Sequence, residues 1–201
     1  MRQLPNLLTG SRLVLALFTF FALAFVGQAS DSLPPEAQFG LERWAFAAFV
    51  LAAITDFFDG WLARRLNATS LAGAILDPIA DKILVCGAIL GLLALRTADI
   101  LIPSALILFR EFAVSALRET AAGKGVRLPV TLLAKWKTTL QLVALGAVML
   151  MACWAAFGLP SDPVIEGPAT VGSIVLLWLA TLVTLVTGAQ YWLQARRALA
   201  D

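Results

Sequence analysis

Asp56, Asp59, Asp77 and Asp81 stand at spacings that a helix turns into shared faces. Positions 56, 59, 60 and 63 follow i, i+3, i+4 and i+7, which puts two carboxylates on one face beside Gly60 and Ala63. Positions 73, 77 and 81 follow i, i+4 and i+8, with Gly73 as the small neighbour. The short link from Arg65 to Ala72 predicts antiparallel neighbouring helices, so four carboxylates meet. In a low-dielectric setting they cannot all ionise unless positive charge sits among them. Hard divalent cations with oxygen ligands meet that need, and Mg²⁺ favours carboxylates together with substrate phosphates. Two such cations would make a phosphoryl-transfer clamp. Gly60 and Ala63 leave room for a bulky group, and Arg64 can meet its phosphates. Histidine is absent, so acid–base or metal chemistry falls to carboxylates.

Other readings fit the same residues. The acids can form ion pairs with Arg64, Arg65 and Lys82, or a proton or cation path in a transporter. Asp77 before Pro78 can cap a helix turn. Ionisable groups inside a membrane are costly and functional by default, which disfavours plain ion pairing. A transporter has no need of small residues on its acidic faces.

The elements that must position these residues are membrane helices. Apolar residues make up 60% of the 201 and charged ones only 14%, with a mean hydropathy of +0.87, which excludes an ordinary soluble enzyme. Apolar segments run from Leu13 to Val26, Trp44 to Leu62, Ile75 to Leu95, Ile100 to Leu117, Leu140 to Phe157 and Val171 to Val186. Six spans place both termini on one side of the bilayer. That side then holds Arg2, Arg12, Arg64, Arg65, Lys124, Arg127, Lys135, Lys137, Arg196 and Arg197. The opposite connections, 27–43, 96–99 and 158–170, hold only Arg43 and Arg96 as bases, so the termini are expected in the cytosol. Gly27-Gln28-Ala29 resembles a leader cleavage site, but Asn6, Thr9 and Arg12 are foreign to a leader and cleavage would break the parity. Cys86 and Cys153 lie in apolar runs and are expected to pack rather than to form a disulfide. A net charge of +2 gives no ground for expecting a nucleic-acid partner.

The pattern Asp56-x2-Asp59-Gly60-x2-Ala63-Arg64-x8-Gly73-x3-Asp77-x3-Asp81 resembles the signature of the CDP-alcohol phosphotransferases. The resemblance implies a six-helix membrane fold, usually homodimeric, with two divalent cations, Mg²⁺ or Mn²⁺. It also implies that an alcohol hydroxyl attacks the lipid-linked phosphorus of a CDP-activated lipid and expels CMP. Carried over by position, Asp56, Asp59, Asp77 and Asp81 hold the metals, and Asp81 is also the base. Asp56, Gly60, Ala63 and Arg64 line the CDP site by the same likeness. The opening Leu4-Pro5-Asn6-Leu7-Leu8-Thr9-Gly10-Ser11-Arg12 resembles the subgroup of this family that uses glycerol 3-phosphate. Asn6 and Thr9 then join the CDP-lipid site, or simply cap the first helix, while Arg12 snorkels to anionic headgroups.

The acceptor is read from the fourth and fifth spans. Arg110 and Arg118 are eight apart and share a helix face, while Glu111 is expected to point elsewhere. Lys135 pairs in register with Thr139, and Lys137 with Gln141. Together Arg110, Arg118, Lys135 and Lys137 can form a basic pocket for an acceptor that is itself a phosphate ester, such as glycerol 3-phosphate. The alternatives are structural pairing of the arginines and a merely basic helix end. The Arg110-Glu111 run and Lys137-Thr138-x2-Gln141 also resemble the glycerol 3-phosphate subgroup, with Ala134 a departure where glycine is expected.

The expectation is one all-α integral membrane domain over residues 1–201, with six transmembrane helices and both termini cytosolic. It would sit in a bacterial inner membrane as a homodimeric enzyme with its active site facing the cytosol. It would join CDP-diacylglycerol and glycerol 3-phosphate to give phosphatidylglycerol phosphate and CMP. The same chemistry with inositol phosphate, serine or a phospholipid is the nearest alternative. A cation-coupled transporter and a non-catalytic CDP-lipid binder are more distant ones.

Overall fold

In the computed structural model the backbone is described for residues 4–66, 71–126 and 132–198, and side chains for 9–56, 79–97, 99–126 and 136–198. The described residues form six α-helices and no strand: α1 (Leu4–Ala29), α2 (Pro35–Leu66), α3 (Leu71–Ala94), α4 (Leu101–Gly123), α5 (Leu132–Ala152) and α6 (Pro163–Ala198). Short 3-10 turns follow α3 at Ala98–Ile100 and α5 at Ala155–Phe157.

Each expected apolar run except the fifth falls on one of these helices to within a residue, and most of the helices outrun it. An apolar run marks where side chains meet lipid, whereas backbone hydrogen bonding continues into polar turns. The outside connections are correspondingly shorter than 27–43 and 158–170. Pro35 and Pro163 each open a helix at the position where a missing N–H costs nothing. Asp162 caps α6, its Oδ1 accepting the Val164 N–H at 2.9 Å. The fifth run ends differently from the expectation. The α-helix stops at Ala152, and Gly158, at φ 64°, closes the 3-10 turn that follows.

α1 packs along both α2 and α3, which touch each other far less. The expected α2–α3 pair is therefore largely separated by α1, and small residues let the three helices close up. Ala16, Ala45, Ala52 and Ala88 are fully buried among Leu23, Phe49, Ile89 and Leu92. At Gly27 an added Cβ would stand 2.1 Å from the Ala94 carbonyl oxygen, so only glycine permits that crossing. α6 packs against α4 and α5 to form the second half of the bundle. Its buried threonines satisfy their hydroxyls within the helix, Thr181 on the Leu177 oxygen at 2.8 Å and Thr184 on the Ala180 oxygen at 2.7 Å.

Among the described residues three helical segments, Thr9–Ala29, Pro35–Asp56 and Pro163–Ala198, are long and apolar enough to cross a membrane. Their outward faces carry large apolar side chains at helical spacing, including Val14, Phe18, Phe21 and Phe25 on α1 and Val171, Val175, Trp178 and Leu182 on α6. Both cysteines are free thiols, as their apolar settings predict.

Candidate active site

α1 brings Arg12 between the two acidic helices. Its Nη1 lies 2.7 Å from Asp56 Oδ1 on α2 and 2.7 Å from Asp81 Oδ1 on α3. Arg12 is 1% exposed, so the expected reach toward lipid headgroups does not occur. A buried guanidinium needs a counter-charge, and these two carboxylates supply it. Thr9, one turn earlier, is buried on the same helix.

Asp56 and Asp81 thus converge from different helices, as the spacing argument requires. Asp59, Gly60, Ala63 and Arg64 belong to α2, Asp77 to α3, Asn6 to α1 and Lys135 to α5, but their side chains lie outside the described ones. Asp77 and Pro78 are inside α3, and Asn6 and Thr9 inside α1, so helix capping does not account for them. Among the described residues no group of three or more metal-ligating side chains gathers. The converging oxygens of Asp56 and Asp81 are the hard donors that Mg²⁺ or Mn²⁺ takes, so the residues present fit such a cation.

The second cluster joins α4, α5 and α6. Glu111 Oε1 accepts from Arg110 Nη1 at 3.3 Å and from Gln141 Nε2 at 3.2 Å, and it is ion-paired with Lys137 Nζ. Gln141 Nε2 also donates to Thr184 Oγ1 at 2.7 Å, and Arg110 Nη2 to Thr187 Oγ1 at 3.0 Å. The Arg110 guanidinium lies over the Tyr191 ring, 5.9 Å from its centroid. Gly188 makes room for it: a Cβ there would fall 2.8 Å from Arg110 Cγ. Glu111 therefore does not point away from its neighbour. Adjacent residues leave a helix about 100° apart, yet both side chains are long enough to turn toward α5 and α6. The structural pairing weighed for the arginines is present for Arg110, and Lys137 is ion-paired rather than a merely basic helix end. Arg118 and Lys82 have no ion-pair partner among the described residues.

A cavity of about 430 Å³ connects the clusters, lined by Asp81, Lys82, Arg110, Glu111, Arg118 and Lys137 among others. Its walls come from the middle of α3, the middle and end of α4 and the first half of α5, with Tyr191 from the late part of α6. Arg12 and Asp56 add the first half of α1 and the second half of α2. Lys135 lies on α5 two residues before Lys137.

The hub role of Glu111 and the partners Thr184, Thr187 and Tyr191 are not among the residues singled out from the sequence. A signal for the last three exists: they are polar groups at i, i+3 and i+7 across the end of the last apolar run. Arg12 as a bridge had no local signal, because its partner Asp81 is 69 residues away.

A family model described as CDP-alcohol phosphatidyltransferase matches residues 2–192. A Rickettsia bellii protein named CDP-diacylglycerol--glycerol-3-phosphate 3-phosphatidyltransferase is 46% identical over 144 residues, covering 72% of this chain and 74% of its own. A Cereibacter sphaeroides protein of the same name is 34% identical over a 231-residue alignment that covers 99% of this chain and 98% of its own. A Rickettsia felis protein, again of that name, is 40% identical over 191 residues, 95% of this chain and 94% of its own.

Proposed function

The chain belongs to the CDP-alcohol phosphatidyltransferase family, and from that premise we propose that it transfers the phosphatidyl group of CDP-diacylglycerol to glycerol 3-phosphate. The observation that carries the acceptor is the cavity that Asp81 shares with Arg110, Arg118 and Lys137. The names of the relatives agree with it.

Asp81 is the base, taking the proton of the acceptor hydroxyl. That oxygen bonds to the lipid-linked phosphorus, the bond from this phosphorus to the bridging diphosphate oxygen breaks, and CMP leaves with the electron pair. Arg110, Arg118, Lys135 and Lys137 supply the positive surroundings that draw in the acceptor's phosphate and turn its hydroxyl toward Asp81. Asp56, Gly60, Ala63 and Arg64, with Asn6 and Thr9, hold the CDP-lipid. Asp56, Asp59, Asp77 and Asp81 would hold two divalent cations, Mg²⁺ or Mn²⁺. Such ions, when bound, offset the charge of the diphosphate.

The same reading makes residues 1–201 one membrane domain with six spans in a bacterial inner membrane, assembled as a homodimer. The gathering of bases in the connections on the side of the termini supports cytosolic termini.

The test is CMP release by the purified protein in detergent micelles with CDP-diacylglycerol and Mg²⁺. Glycerol 3-phosphate, serine, inositol phosphate and phosphatidylglycerol are offered separately. Release with glycerol 3-phosphate alone is the expected result. Release with a different acceptor overturns the acceptor assignment and keeps the chemistry. Absence of release with all four, from folded and metal-loaded protein, overturns the reaction.

A further inference from the structure

Arg12 has no task in the reaction as proposed, yet it sits at the centre of the acidic site. One nitrogen, Nη1, is 2.7 Å from Asp56 Oδ1 and 2.7 Å from Asp81 Oδ1. The Arg12 side chain is 2% exposed, against 23% for Asp56 and 43% for Asp81. The cation is thus deeper than the anions it joins, and its contacts tie α1 to both α2 and α3.

We propose that Arg12 is the resident counter-ion of the acidic centre, holding Asp56 and Asp81 together and competing with a divalent cation for their oxygens. The inference rests on the reading of Asp56 and Asp81 as metal ligands. Its physical basis is that carboxylates brought this close repel each other, and a guanidinium between them offsets the repulsion. A divalent cation supplies the same compensation through the same donors. The two positive charges repel, so whatever strengthens one contact weakens the other. Arginine suits the role because its donors can engage two carboxylates at once and it stays charged at any working pH. Arg12 is accordingly a positioning residue, and each metal that binds must displace or loosen it.

The test needs no lipid substrate. Mn²⁺ binding to the full chain in micelles is followed by electron paramagnetic resonance for wild type, Arg12→Gln and Arg12→Lys. Arg12→Gln is expected to bind Mn²⁺ about tenfold more tightly, because a competing charge beside the ligands has gone. The same variant unfolds at a lower temperature in EDTA and gains more from Mg²⁺ than wild type does. Arg12→Lys, which keeps the charge but loses the fork, falls between the two. A purely structural arginine predicts the reverse order, because its loss would leave the ligands poorly placed. Unchanged or weaker Mn²⁺ binding in Arg12→Gln therefore overturns the proposal.

Should Arg12→Gln fail to fold, wild type alone still decides. Modification of Arg12 by phenylglyoxal, read on its peptide by mass, should speed up several-fold with Mg²⁺ as the guanidinium is released. Equal or slower modification contradicts competition. If Mn²⁺ binds to neither protein, the metal reading fails and the inference falls with it. If it binds equally to both, the inference about Arg12 alone falls.

Discussion

The two polar clusters of the bundle are inverses of each other. In the first, carried by α1, α2 and α3, Asp56 and Asp81 close around one buried arginine. In the second, carried by α4, α5 and α6, Arg110 and Lys137 close around one carboxylate, Glu111. The first is left with an excess of negative charge and suits cations. The second is left with an excess of positive charge and suits an anion. Each contains its own counter-ion, which lets the charges be buried before any ligand arrives. The cavity lies where they face each other, with Asp81 on one wall and Arg118 on another. A reaction between a cation-bound diphosphate and an anionic alcohol calls for such a pairing of opposite sites at a short distance.

The contrast can be broken most severely from its acidic side. Asp81→Asn keeps the size of the side chain and removes the base, so turnover should fall by about 10²–10⁴-fold while CDP-lipid binding stays measurable. Steady-state CMP release and a lipid-binding titration check this, and full activity would remove Asp81 from that role. On the basic side, Arg118→Ala should raise the KM for glycerol 3-phosphate about tenfold, and more than that for CDP-diacylglycerol, through loss of a charge-assisted contact. Equal effects on both substrates would take Arg118 out of the acceptor's site.

Glu111→Gln distinguishes an internal counter-ion from a substrate contact. It leaves two buried cations underpaired, so unfolding free energy should fall by about 1–3 kcal/mol, measured by thermal or denaturant unfolding. The KM for glycerol 3-phosphate should rise less than in Arg118→Ala. A larger rise with undiminished stability would make Glu111 a ligand to the acceptor rather than an anchor for Arg110 and Lys137. The mildest perturbation is Gly188→Ala, whose methyl would press on Arg110 Cγ. A rise of about two- to threefold in that same KM is expected, from a shift of a few tenths of an ångström in the guanidinium. No change in kinetics would mean that Arg110 can move freely without consequence.

Much of this was legible in the chain because helical spacing is a local property. The positions 56, 59, 60 and 63 define a face whatever the helix packs against, and the apolar runs mark the helices that carry them. Helix ends were less legible: α6 runs from Pro163 to Ala198, well beyond its apolar run, because polar turns at either end keep the backbone hydrogen bonds going. Contacts across the bundle were not legible. Arg12 reads as a basic residue near a helix start, and nothing nearby tells that its partners are Asp56 and Asp81. Glu111 reads as facing away from Arg110 by helical angle alone, and only Lys137, Gln141 and the α6 threonines around it explain why both turn inward.

Cys86 lines the cavity between the clusters, whereas Cys153 is 1% exposed and buried elsewhere. The rate at which a maleimide alkylates Cys86 therefore reports directly on whether an anionic acceptor occupies the space between acid and base. Glycerol 3-phosphate should slow that alkylation in a saturable way while glycerol leaves it unchanged, and Arg118→Ala should move the half-effect to about tenfold higher concentration. Alkylation that ignores glycerol 3-phosphate at concentrations supporting CMP release would contradict the placement of the acceptor in this cavity.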